Sequence, residues 1–153
     1  PNGRYPGGGN VAYRKSVFDK VGFFNTELGR KGTALLASEE KDIFDKMHQL
    51  GMKILYLPTP VLHHIIPQTK LEEPYFNRLT LQIGESERIR TLAISKTKYI
   101  SRLASEFIKW CGTLVLLCLY TVKFQPMKGW KLVLFRKNVT KGLLGFSFME
   151  NNA

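Results

Sequence analysis

The chain has 153 residues, of which 44% are hydrophobic and 23% charged, so it is no disordered tract and holds enough apolar material for one domain with a core. Its formal net charge of +11 excludes an indifferent surface and points to an anionic partner: nucleic acid, an acidic lipid surface or a phosphorylated ligand. It opens at Pro1 without Met and without an apolar targeting segment, and reads as a piece whose upstream part lies elsewhere.

Residues 1–10 are turn-rich, and Gly7, Gly8 and Gly9 allow close approach of the backbone to a neighbour. A short helix is predicted from Arg14 to Val21, with Val17, Phe18 and Val21 as its apolar face and Gly22 as its cap. Gly29 to Gly32 reads as a flexible loop. Ser38 is placed to N-cap a helix over 39–50, in which Ile43, Phe44, Met47 and Leu50 recur at helical spacing and which Gly51 stops. Residues 53–57, Lys-Ile-Leu-Tyr-Leu, alternate as a short strand does and end at Pro58, with Val61 and Leu62 as an edge continuation. Helices are then expected from Pro74 to Ile94, from Lys98 to Phe124 and from Met127 to Lys141, with no strand pattern after His64. Cys111 and Cys118 lie too far apart on one helix for a disulfide, have no metal-site spacing, and are expected to be buried thiols in a reducing compartment.

Three groups of residues could carry chemistry. Glu39, Glu40 and Asp42 crowd the first turn of a predicted helix. The helix dipole alone favours acids there, by about 0.3–1 kcal/mol each. One of them could instead be a general base for an acceptor hydroxyl. His63 and His64 follow a Pro-rich turn, where an imidazole is either solvated or a ligand for a divalent metal. The Gly7–Asn10 loop could cradle a phosphate or a sugar, but it lacks the Gly-Lys-Ser/Thr ending of a P-loop.

Taken in order, these stretches resemble the second half of a family 2 glycosyltransferase domain. The resemblance covers residues 7–90. Gly8-Gly9-Asn10 leads into a helix and a Gly22-Phe23 turn. Ser38-Glu39-Glu40-Lys41-Asp42-Ile43 is similar to the family's Glu-Asp motif. The run from Gly51 to Pro58, with Val61-Leu62-His63-His64, is similar to its hydrophobic strand, proline and terminal histidine. The resemblance implies an α/β class: the C-terminal half of a GT-A fold over residues 1–95, followed by a basic, apolar helical tail over 96–153. It implies an inverting transferase that uses a nucleotide-diphosphate sugar and a divalent metal, Mn²⁺ or Mg²⁺. Glu40 takes the place of the family's Asp base, with Glu39 as the competing choice, His64 as the metal or diphosphate contact, and Gly9 and Asn10 lining the acceptor side. The family's Asp-x-Asp motif is absent, which predicts inactivity of this piece alone; the Gln-x-x-Arg-Trp motif of processive synthases is absent too. A non-catalytic scaffold and a basic nucleic-acid-binding module are the rival readings.

From Arg88 onward the only acids are Glu106 and Glu150, so the basic excess is concentrated in the tail. Between Lys109 and Lys123 lie 13 uncharged residues, about 20 Å of helix and short of a bilayer span. Cations flanking an apolar run suit lipid better than nucleic acid, which calls for basic and aromatic residues interleaved on one face. The expected partners are therefore a nucleotide-diphosphate sugar, a glycan or lipid-linked acceptor and an anionic membrane surface, without nucleic acid. The expected location is the cytoplasmic side of the cell membrane, peripherally bound.

Overall fold

The computed structural model describes residues 8–147; the turn-rich expectation for residues 1–7 lies outside them. Five helices make the fold: α1 (Lys15–Val21), α2 (Glu39–Gln49), α3 (Glu73–Ile94), α4 (Lys96–Val122) and α5 (Pro126–Leu143), with short 3-10 turns at Gly8–Asn10 and Gln68–Leu71. Among the described residues there is no strand, and Lys31 and Ala34 form a lone bridge. The fold is all-α, which overturns the expected α/β class and the GT-A half-sheet. Residues 53–57 form no strand, contrary to what their alternation predicts, and no second strand lies beside them. Without a partner the ladder has no hydrogen bonds to make, and Leu55, Tyr56, Leu57, Val61 and Leu62 are all exposed.

The helix ends follow local chemistry. Gly22, at φ 77°, closes α1 with its N–H donating to the Phe18 carbonyl. Ser95 is extended, which breaks α3 from α4, and its side chain accepts the Lys98 N–H at 3.1 Å to start α4. Pro126 opens α5, where its missing N–H costs nothing. Ser38 precedes α2 as expected but does not cap it: it sits at φ 78°, and its hydroxyl donates to Glu87 instead.

The front of the molecule has an apolar core of Val17, Ile43, Phe44 and Met47, flanked by Val11, Tyr13, Phe18, Val21, Met52 and Ile54. Tyr13 stands 5.6 Å, ring centre to ring centre, from both Phe18 and Phe44, a spacing that favours tilted aromatic pairs. The back is a three-helix unit in which α4 runs antiparallel to α5, and α3 lies against both. A Cβ at Gly84 would collide with the Val139 carbonyl, and one at Gly142 with the Leu81 carbonyl, so these glycines bring the α3 and α5 backbones together.

Apart from Val139 and Leu143 of α5, the interior of the back unit is polar. Thr80, Gln82, Ser86, Glu87, Arg90, Thr91, Glu106 and Thr113 are all buried. One stripe of α3 accounts for two of them, Gln82 and Ser86. Arg78 donates to the Thr33 carbonyl, Gln82 accepts from the Leu35 N–H, and Ser86 accepts from the Ala37 N–H at 2.9 Å. Side chains of α3 thus provide the hydrogen bonds that a sheet would otherwise give the 33–38 linker. The apolar run of α4 faces outward, and Cys111 and Cys118 are exposed rather than buried.

Candidate functional site

The first turn of α2 is the chemically distinctive place. Glu39 and Glu40 are neighbours on the first turn, and the charge of Glu40 acts on the Glu39 carboxyl. Burial pushes the Glu39 carboxyl above the usual carboxylate range. The helix-end N–H groups and Arg30 oppose that shift, and the neighbouring Glu40 adds to it. Burial beside a second acid thus lets Glu39 hold its proton to a higher pH than an isolated Glu would.

The surroundings of the pair are specific. Glu40 Oε1 lies against Gly8, where a Cβ would overlap it. Glu39 packs against Gly29, at φ 82°, with Oε2 3.4 Å from where a Cβ would stand. That Oε2 is buried without a hydrogen-bond partner, and so is the Tyr13 hydroxyl. Burial, then the charges of Glu40 and Glu39, raise the Tyr13 pKa, which sets its hydroxyl within reach of both carboxylates' fields. A buried polar atom left unpaired costs about 1–3 kcal/mol, so two of them around one acidic pair mark a place built for something other than stability.

The glycine loop meets this place, as the sequence order suggests. Gly8 touches Glu40, Gly9 approaches Leu62, and the Asn10 side chain donates to the Pro60 carbonyl at 3.1 Å. Asn10 is thereby engaged in holding the 58–62 segment. Asp42 is buried and pairs with Lys46 at 2.7 Å, a structural role. His63 and His64 are exposed. No group of three or more His, Cys, Asp or Glu side chains that could hold a metal ion occurs among the described residues. A divalent cation takes about six oxygen or nitrogen donors, and His64 alone does not supply a site. The described residues do not by themselves assemble a site for the expected Mn²⁺ or Mg²⁺.

Tyr13, Gly29 and Arg30 are the members of the site that sequence reasoning missed. Only the aromatic spacing of Tyr13 and Phe18 offered a signal, and it says core rather than site.

No family model, curated protein or solved structure matches the chain. With an all-helical fold and no such match, the resemblance to family 2 glycosyltransferases is overturned. Short motifs in the right order are a weaker constraint than the sheet those motifs would have to stand on.

Proposed function

We propose that the chain carries the acceptor-side base of an enzyme that transfers a sugar from a nucleotide-diphosphate donor to an envelope glycan or lipid-linked acceptor, working at the cytoplasmic face of a membrane. The observation that supports it is the Glu39–Glu40 pair, set on a helix N-terminus, closed over by the Gly8 loop and flanked by an unpartnered Tyr13 hydroxyl. In this reading Glu40 is the base and Glu39 stands beside it. As the acceptor oxygen attacks the anomeric carbon, its proton passes to Glu40, and the nucleoside diphosphate leaves with the bonding electrons. The chemistry asks of the protein a carboxylate within hydrogen-bond reach of a hydroxyl, and a loop that admits the sugar to it. Exposed apolar residues along α4 support the membrane location, since an acceptor carried on lipid has to be met at the surface.

The test, made on the full-length protein because this piece alone is expected to be inactive, is transfer of labelled sugar from a panel of nucleotide-diphosphate donors to membrane-extracted acceptors. Glu40→Gln is expected to lower turnover by roughly 10²-fold with donor affinity unchanged, the scale of a lost general base. Glu39→Gln is expected to be milder. Equal turnover of Glu40→Gln and the parent chain would remove the base, and absence of transfer from every donor would remove the activity.

A further inference from the structure

α4 is long and apolar enough, by length and composition, to cross a membrane, and little of that stretch is buried. Its packing says otherwise. α5 returns antiparallel to it, with Gly129 against Leu117 and the Trp110 indole N–H donating to Thr140 at 2.9 Å. α5 carries Lys128, Lys131, Arg136, Lys137 and Lys141, and a helix with that many cations cannot follow α4 through hydrocarbon. The α4–α5 hairpin can therefore enter a bilayer from one side only.

We propose that the hairpin enters loop first, with the turn at residues 122–130 buried among the lipids of an anionic leaflet and the ion-paired interior left above it. This rests on the membrane-surface part of the function proposed above. Three observations carry it. The turn presents large apolar side chains to the outside: Val122 is 77% exposed, Phe124 94%, Met127 67% and Trp130 57%. Most of its backbone N–H groups are already satisfied, which lowers the cost of entry into a water-poor layer. The N–H groups of Lys123, Phe124 and Gln125 turn back onto the Leu119, Thr121 and Tyr120 carbonyls, Pro126 has none, and that of Lys128 returns to Gln125. Finally, Lys123, Lys128 and Lys131 surround the tip. Lys128 and Lys131 border an open hollow of about 480 Å³ whose other walls are Tyr120, Met127 and Leu132. Lysines over an apolar hollow match a lipid phosphate above its acyl chain, and long stems let the ammonium groups stay at headgroup height while the tip goes deeper.

The chain holds two tryptophans. Trp110 reports the interior and Trp130 the tip, so each can be read alone. In Trp110→Phe, vesicles of phosphatidylcholine with phosphatidylglycerol are expected to shift Trp130 emission to the blue, and brominated acyl chains to quench it. In Trp130→Phe, the same vesicles are expected to leave Trp110 unchanged. Changing Lys123, Lys128 and Lys131 together to Gln is expected to weaken vesicle binding on the order of 10²-fold, at about fivefold per lysine. Phe124→Glu is expected to abolish quenching. An unquenched Trp130, or a Phe124→Glu chain that sediments with vesicles as the parent does, would overturn loop-first entry. Sugar transfer to a soluble acceptor without any vesicle binding would overturn it and leave the carboxylate base standing. Quenching of Trp130 together with no sugar transfer by the full-length protein would uphold it while removing the enzyme.

Discussion

The front and back of this molecule place opposite chemistries inside. Around α2 the interior is Ile43, Phe44 and Met47, and the acids line its edge. Around α3, α4 and α5 the interior holds Glu87, Arg90 and Glu106, while Ile108, Leu114, Val115, Leu119 and Val122 face outward. The first arrangement is stabilised by taking apolar surface out of water. The second gains little that way and depends on paired charges, small residues at the helix contacts and a surrounding that tolerates apolar side chains. The difference teaches that a mean hydropathy or a net charge for the whole chain describes neither half.

The comparison breaks most directly at Glu87. Lys41 reaches its carboxylate at 2.7 Å, Arg90 and Arg102 bind it at 3.1 and 3.2 Å, and Arg90 also pairs with Asp45. Glu87→Gln is expected to cost about 3 kcal/mol, since it removes the buried carboxylate that Lys41, Arg90 and Arg102 share, although Asp45 and Glu106 still hold the two arginines. Urea unfolding followed at Trp110, in the Trp130→Phe background, measures it. A cost below about 1 kcal/mol would mean that the back interior is wet, and the contrast with the front would fail.

Acid should act on the same group. Burial alone would raise the Glu87 pKa, but hydrogen bonds and charge from Arg90 and Lys41 outweigh it and hold it at about 2 against an ordinary 4.5. Because the folded value is the lower one, the native state binds the proton less readily than the unfolded chain. This contribution is complete above about pH 4.5 and is lost as pH falls toward 2, amounting to about 3 kcal/mol. The Glu39 shift has the opposite sign: its folded value is raised, so its contribution falls as pH rises from the ordinary value through the raised one. Urea midpoints across pH 2–7 are expected to follow Glu87 in the parent chain and to lose that acid dependence in Glu87→Gln. An unchanged acid dependence in the variant would assign it to other carboxylates.

The smallest effect sharpens the front. The Tyr13 hydroxyl is buried and unpartnered, so Tyr13→Phe is expected to stabilise the chain by about 1 kcal/mol, read as a rise in melting temperature. A loss of stability would show that the hydroxyl has a partner in the acidic pair.

The helices were legible in the sequence because their signals are local. Gly22, Gly51, Pro74 and Pro126 each act within a turn of where they stand, and the five expected helices appear within a few residues of their predicted ends. The strand at 53–57 was not, since alternation specifies the faces of a strand and says nothing of whether another one lies alongside. The cysteines failed for a related reason. An apolar run implies burial only if the protein has nothing more polar to bury, and here Glu106 and Thr113 took the inner face of α4. At the candidate site, the crowding of Glu39 and Glu40 was plain, and so was the glycine loop. That Gly8 touches Glu40, and that Tyr13 turns toward both acids, depends on tertiary packing that no spacing encodes.

Glu87 has one more consequence. Lys41, the neighbour of Glu40 on α2, grips the carboxylate that also holds Arg102 of α4. Three helices are thereby pinned at a single atom group, so that with the proposed loop-first entry the acidic pair would stand at a fixed height from the leaflet. The molecule is in this sense a gauge: an acceptor anchored in the leaflet would be reached only if the stalk between its lipid and its hydroxyl has the matching length.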